Sequence, residues 1–374
     1  MPEQIGVLIA ALSGRALAAS ARRAGYLPLV VDFFGDDDAR AFASDFVHLE
    51  GGVERGFERR ALMAALDRLA GSRPVAGVVY GAGFEDRPAI IDAIARGWRV
   101  IGNGAHTIAG LKDPCAFAAL CRACGIAHPE ISLEPPRQPR SWISRHRGGA
   151  GGGHIRAVDG CARDGGTYYQ RKVAGRTISA LFIADGRNSR VIGFSEQWVA
   201  PGAGQPYRYG GAVRPAALDP ASATSIAEAI ERVVARAGLV GLNSADFIIS
   251  REHSWLLEIN PRPGATLDLF EPQESEAGTL FAAHLAACDG ELHPVCVDSA
   301  GRAAAIVYAE HDIRRVPVID WPDWAADRQP AGSFVARGEP FCTVVADAPD
   351  AAQASRLVHA RSARILAAAT GRAA

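Results

Sequence analysis

The chain has 374 residues, 48% hydrophobic and 22% charged, which is ordinary for a globular protein and long enough for two or three domains. A formal net charge of −1 leaves no global field to draw nucleic acid or an anionic membrane, and no apolar run reaches the roughly 18 residues that a membrane span requires. Seven cysteines without paired spacing suit a reducing cytoplasm better than a disulfide framework, and MPEQIGVLIAALSGR lacks the basic start of a signal peptide, so a cytoplasmic location is expected.

Ile5–Leu12 (IGVLIAAL) is a buried-strand run. A helix follows, with Ser13 as the expected N-cap and Gly25 as the stop. LPLVVDFF is a second strand, and a helix is expected around Arg55–Ala70. The strand VAGVVYG, the helix DRPAIIDAIARG and the short strand RVIG complete an alternation over Met1–Gly104 that predicts a parallel α/β sheet. The first turn, Ser13-Gly14-Arg15, lacks the G-x-G-x-x-G spacing of a dinucleotide site, which favours a small-molecule or structural role.

LKDPCAFAALCRACGIAHPE predicts one helix from Leu111 to Gly125; its Cys121 and Cys124 read as buried thiols rather than a metal pair. After the Pro-rich EPPRQPR come strand candidates SWISR, HIRAV, TYYQRKVA, TISALFIAD and RVIGFSEQW. Helix PASATSIAEAIERVVARAGL precedes a hairpin. The last part, from about Asp298, holds strands AAAIVYAE and FCTVVAD and a closing helix. The second half therefore reads as α+β, with antiparallel sheet and helices.

The hairpin LNSADFIISREHSWLLEINPRPG carries the chemistry. With Arg251-Glu252-His253 as a three-residue turn, Ile248 faces Leu256, Phe247 faces Leu257, and Asp246 falls opposite Glu258. Leu256, Glu258 and Asn260 then share one face, as do Ile248, Asp246 and Ser244. Like charges about 5 Å apart at Cβ are destabilising, and a divalent cation between them resolves the conflict. Two carboxylates and the Asn260 amide oxygen make a hard oxygen site suited to Mg²⁺, with Mn²⁺ as the alternative. The competing structural reading pairs one acid with an Arg and leaves the other solvated.

A cation held by few protein ligands commonly carries phosphates. RHRGGAGGGHI, Arg145–Ile155, is a matching glycine-rich cradle between two strands, although no G-K-[ST] follows. The bland reading is a flexible hairpin loop. Of the 40 basic residues only Lys112 and Lys172 are lysines, so a retained Lys marks a place for a compact ammonium, or chance survival.

Together, SWISRHRGGAGGGHI, YYQRKVAGRTISALFIADG and GLNSADFIISREHSWLLEINPRPGATLDLFE resemble the ATP-grasp superfamily over about Met1–Glu271. Within it, the chain looks most like the predicted ATP-dependent carboligases, some of which act in the synthesis of methanofuran- and methanopterin-type one-carbon carriers. The resemblance implies an ATP-grasp fold with an N-terminal Rossmann-like pre-ATP-grasp domain (1–110), an ATP-grasp domain (111–297) and a C-terminal α+β segment (298–374). It implies a carboxylate–amine ligase that uses ATP and Mg²⁺, forms an acyl phosphate and releases ADP and phosphate. A bicarbonate-dependent carboxylase and a non-catalytic nucleotide-binding protein are the alternatives. By this resemblance Asp246, Glu258 and Asn260 are metal ligands. Gly149, Gly151, Gly152 and Gly153 with His154 cover the phosphates, and Arg145 stands where many relatives have Lys. Lys112 contacts nucleotide. Gln170, Arg171, Lys172 and Val173 form the hinge strand against adenine, although an apolar residue is more usual at 172. Arg262, with Asn260, serves the transferred phosphoryl group. The partners implied are a small-molecule acid and an amine, with Asp268 a candidate amine contact. Many relatives dimerise, which keeps a homodimer among the options.

Overall fold

The structure is a computed structural model that describes residues 4–50, 56–158, 165–250, 253–272 and 278–369. Its first elements are β1 (Gly6–Ala10), α1 (Arg15–Arg23), β2 (Leu27–Asp32), α2 (Asp37–Phe42), β3 (Asp45–His48), α3 (Arg59–Ala70), β4 (Val75–Tyr80), α4 (Ala89–Ala95) and β5 (Val100–Ile101). The strands form a sheet of order β3-β2-β1-β4-β5, parallel at every pairing. The unbroken apolar runs are explained by burial on both faces. Val7, Ile9, Val30 and Val79 pack towards α1, while Leu8, Leu29, Val31 and Val78 pack towards α3 and α4.

Some local expectations change. α1 starts at Arg15 with Gly14 at the N-cap position and no side-chain cap. The Ser13 hydroxyl instead donates to Asp327, 3.3 Å away. The helix expected over Leu111–Gly125 is two: α5 (Ala105–Lys112) and α6 (Pro114–Ala123). Pro114 has no N–H to continue the first, and Asp113 caps the second through the Ala116 N–H at 2.9 Å. Arg55 and the residues Arg251 and Glu252 of the expected turn lie outside the described residues. Cys121 and Cys124 are buried and free.

A small antiparallel sheet follows, from β6 (Ile131–Ser132), β7 (Trp142–His146), β8 (Arg156–Ala157) and β9 (Thr167–Arg171), in the order β6-β9-β7-β8. The large sheet begins with β10 (Arg176–Asp185), β11 (Ser189–Val199) and β12 (Tyr209–Arg214). After α7 (Pro220–Ala237) come β13 (Val240–Ile249), β14 (Ser254–Asn260), α8 (Leu267–Phe270) and α9 (Leu280–Cys288). β15 (Gly301–Tyr308), β16 (Ala325–Ala326), β17 (Pro340–Ala348) and α10 (Ala351–Ala369) close the chain. Their strands extend the same sheet, giving the order β14-β13-β10-β11-β12-β15-β17-β16. β12 escapes a propensity argument because Gly210 and Gly211 weaken it as a strand. Gly211 is required there: at φ 156° a Cβ would stand 2.3 Å from Ala304 O and 2.4 Å from the Trp198 ring.

α7 lays Ile226, Ile230, Val233 and Val234 against Ala180, Phe182 and Phe247 on one face of the large sheet. On the other face, Phe281 and Ala283 of α9 join Leu17 and Ala18 of α1 and Leu181 and Ile183 of β10 in one buried cluster. That shared layer docks the parallel sheet onto the antiparallel one.

A polar clasp adds to the docking. Asp38 accepts from the Asp327 and Arg328 N–H groups at 2.9 Å each, and Asp36 Oδ1 accepts from Gln329 at 3.1 Å. Asp36 is 1% exposed and its Oδ2 is buried without a partner among the described residues. Burial, reinforced by Asp327, Asp32 and Asp38, pushes its carboxyl up to about 9. The folded state therefore favours neutral Asp36, and stability present below the ordinary carboxylate range is lost as pH climbs towards 9. Asp36→Asn imitates the neutral form. Thermal melts of this variant should show a raised Tm, with a clearly larger gain at pH 8 than at pH 5; equal gains at both would remove the electrostatic explanation.

Candidate nucleotide and metal site

The β13–β14 ladder pairs Asp246 with Glu258 and Ser244 with Asn260. The opposition of the two acids is as the sequence suggests, but the route differs. The outermost pair is Ile249 with Ser254, so four residues rather than three separate the paired strands. A bulge between Asp246 and Phe247 takes up the extra residue, Leu257. Leu256 therefore pairs with Phe247 and enters the core beside Ala245 and Ile259, instead of sharing the face of Glu258. Leu257 and Glu258 both line the cleft.

Positive groups converge on the acids. Arg145, from β7, donates to Glu258 Oε2 at 2.6 Å and to Gln170 Oε1 at 3.1 Å. Lys112, at the end of α5, donates to Asn260 Oδ1 at 2.9 Å and lies 4.0 Å from Glu258 Oε2. Asn260 Nδ2 donates to Asp246 Oδ2 at 3.1 Å. Burial alone would raise the Glu258 carboxyl, but Lys112 and Arg145 outweigh it and hold it at about 2. Asp246 lacks such close cations; burial and the neighbouring Glu258 charge push it up to about 6. Two residues not singled out in the sequence support it, Ser179 on β10 and Gln197 on β11, the latter 3.4 Å away.

The glycine-rich segment is a loop between β7 and β8, and it forms the other wall of the cleft with Lys112, Arg145, Tyr168 and Glu258. The Tyr209 N–H donates to Gly151 O at 2.9 Å, which docks the loop on the start of β12. His154 packs against Gly149, and burial together with Arg145 pushes its ring down to about 4. It is thus a neutral hydrogen-bonding ring near pH 7, not a cation. Arg145 Nε is buried without a partner among the described residues.

The hinge residues divide. Gln170 is buried against Arg145. The exposed Arg171 guanidinium sits 3.6 Å from Glu130, and the Lys172 side chain is also exposed; the Lys172 N–H donates to Ser141 O at 2.8 Å. Val173 is half-buried in the link to β10. Of the two lysines, then, Lys112 contributes its ammonium to the acidic cluster. Asp268 is engaged bidentately by Arg15 at 2.7 and 2.5 Å, and Arg15 also holds Asp327 at 2.9 Å, so Asp268 does not present a free carboxylate to an amine.

Arg262 follows β14 and is 9% exposed. Its Nε donates to Glu85 Oε1 at 2.8 Å, a partner that sequence reasoning missed. Glu85 follows β4, the place where loops of a parallel sheet bear ligand-facing residues, and that position is the signal that identifies it. Burial would raise its carboxyl, but Arg262, Lys112 and the Gly83 N–H lower it overall.

An acid-bearing antiparallel hairpin facing a glycine loop, with a parallel α/β sheet docked beside both, defines the ATP-grasp fold. Residues 116–266 match the model of the ATP-grasp domain. No curated protein matches the sequence. Among solved structures, biotin carboxylase from Campylobacter jejuni aligns with TM-score 0.71 and 14% identity over 95% of this chain and 90% of that one. N5-carboxyaminoimidazole synthetase from Staphylococcus aureus gives 0.69 and 14% over 97% and 98%. The biotin carboxylase domain of the Hydrogenobacter thermophilus 2-oxoglutarate carboxylase, in complex with MgADP and bicarbonate, gives 0.73 and 11% over 96% and 90%. At these identities the likeness shows a shared fold. Residues 116–266 thus match an ATP-grasp domain, and the chain has the fold of ATP-grasp enzymes, which use ATP and Mg²⁺.

The donor set fits that cation. Asp246 and Glu258 are cross-strand partners and supply two hard carboxylates, while Asn260 turns its Nδ2 to Asp246 and its Oδ1 to Lys112, so its oxygen becomes a third donor once the cation replaces the Lys112 contact. The raised Asp246 carboxyl suits a neighbouring cation, and the buried Arg145 Nε, unpartnered among the described residues, suits an anion.

Proposed function

We propose that the protein joins a small-molecule carboxylate to an amine at the expense of ATP, through an acyl phosphate. The observation that supports this reading is Glu258 beside Lys112 and Arg145 in one cleft walled by the glycine loop, with Asp246 as the cross-strand partner of Glu258. Asp246, Glu258 and Asn260 would hold Mg²⁺, which when bound offsets the charge of the phosphates. Lys112 and Arg145 would bind phosphate oxygens, Arg145 as a fork where a point charge is commoner. The hinge backbone from Gln170 to Val173 would meet adenine.

The substrate carboxylate oxygen attacks the γ-phosphorus and the bond to ADP breaks. Arg262 holds the three transferred oxygens, and phosphoryl transfer needs mainly this kind of positioning and charge stabilisation. The amine then attacks the acyl carbon, with Arg262 stabilising the tetrahedral oxyanion. Phosphate departs, the nitrogen gives up its proton and an amide remains. A docked glycine loop keeps water from the acyl phosphate.

The test is an ADP-release and amide-formation screen of acids against amines, with glutamate and tyramine-like compounds first because of the likeness to carboligases of one-carbon carrier synthesis. ADP release that requires both an organic acid and an amine is the expected result. Release driven by bicarbonate would instead indicate a carboxylase, and nucleotide binding without turnover a regulatory protein.

A further inference from the structure

The parallel domain reaches into the phosphoryl site through three buried side chains, all directed at two consecutive residues. The Tyr80 hydroxyl lies 2.6 Å from Asn103 O and 3.3 Å from Pro261 O. Asn103 Nδ2 donates to Pro261 O at 3.0 Å and to Asn243 Oδ1 at 2.8 Å. Glu85 then takes the neighbouring side chain, accepting from Arg262 Nε at 2.8 Å. Tyr80 and Asn103 thus fix the backbone immediately before Arg262, and Glu85 fixes its guanidinium.

Glu85 is itself rigid. Its second oxygen accepts from the Gly83 and Phe84 N–H groups at 2.8 and 3.0 Å, and its side chain is only 4% exposed. The base of the glycine loop rests on the same turn: a Cβ at Gly148 would lie 2.5 Å from the Asp86 N and Cα atoms. One tight turn after β4 therefore touches both the loop that roofs the phosphates and the arginine beneath them. Held at Nε by a carboxylate on a fixed turn, and with Nη1 3.4 Å from Pro263 O, the Arg262 guanidinium keeps its remaining nitrogen, Nη2, pointed in one direction, as an electrostatic stabiliser must.

We propose that Glu85 is a positioning residue of the phosphoryl-transfer step, aiming Arg262 at the transferred group, and that this is a contribution of the N-terminal domain to catalysis. The proposal rests on the role given to Arg262 above. Both Glu85 oxygens accept hydrogen bonds, whereas glutamine would accept at one and present a donor at the other. Glu85→Gln must therefore leave either Arg262 or the turn amides without an acceptor.

The test uses MgADP with aluminium fluoride, a mimic of the phosphoryl group in flight, and needs neither co-substrate. Calorimetry should find that fluoride tightens MgADP binding to the wild-type protein by roughly 10²-fold or more, the order of one lost oxyanion contact. Glu85→Gln, Arg262→Gln and the double variant should each lose most of that gain, by similar factors, because the two residues act as one unit. MgADP affinity without fluoride should stay within about threefold, which together with an intact melt separates aiming from misfolding. Glu85→Asp, one methylene shorter, should retain part of the gain. Full retention in Glu85→Gln, losses that multiply in the double variant, or absence of any fluoride effect in the wild type would overturn the proposal. Failure of the ligase reading looks different: the fluoride effect persists while no acid and amine pair drives ADP release.

Discussion

Glu258→Gln is expected to reduce ATP-dependent ADP release by roughly 10²–10³-fold or more, the scale of losing a major electrostatic contact at a reacting phosphate. The substitution keeps volume and one acceptor, so the Arg145 contact at 2.6 Å survives in weaker form. What disappears is a negative charge that stays ionised at any working pH, because Lys112 and Arg145 hold the carboxyl at about 2 despite its burial. Without it, one of the two acidic oxygen donors proposed for Mg²⁺ is gone. The fold should persist for a reason visible in the same cluster. Leaving Lys112 and Arg145 short of a counter-charge is destabilising, but Asp246 is relieved of the neighbour that pushes its carboxyl up to about 6 and becomes a better partner for the same cations. A modest fall in Tm with near-complete loss of turnover is the expected pattern. Turnover within tenfold of wild type in a folded variant would remove the assignment of Glu258 to the metal.

How far the sequence discloses this site depends on which forces place each residue. Asp246 and Glu258 are legible because strand period and hairpin pairing are local, and both acids lie within a few residues of one turn. Even so, the turn length was misjudged, and the acids meet only because a bulge at Leu257 restores the register. The bulge is a backbone device with no composition signature here. Lys112 stood out because the chain contains only two lysines, and that rarity signalled a position where an ammonium is needed. Lys172 shared the rarity and lies exposed, so rarity alone does not discriminate. Glu85, Gln197, Tyr80 and Asn103 were out of reach for a different reason. Their partners are between 49 and 181 positions away, brought together by the docking of one sheet on the other or, for Gln197, by the strand order of the large sheet. Asp268 shows the converse: an acid in the right segment, whose availability is decided by Arg15 from 253 positions upstream.

Gly152→Ala is expected to uncouple ATP consumption from amide formation. Gly152 sits at φ +73°, which alanine adopts only with strain, and an added Cβ would stand 1.9 Å from Tyr207 O. Either the loop lifts or the segment leading into β12 shifts, and both break the docking in which the Tyr209 N–H meets Gly151 O. The docked loop matters because Gly148, Gly149 and His154 wall the cleft that Lys112, Arg145 and Glu258 line, so its position controls access of water to that cleft. A variant that lifts but docks poorly should bind ATP as well as the wild type and protect the acyl phosphate badly. Its signature is ADP released in excess of amide, with kcat for amide formation falling by roughly tenfold or more while KM for ATP changes little. Because the loop is a surface connection outside the buried clusters, Tm should hardly move. Matched yields of ADP and amide at wild-type rate would show that docking on the 207–209 segment does not guard the intermediate.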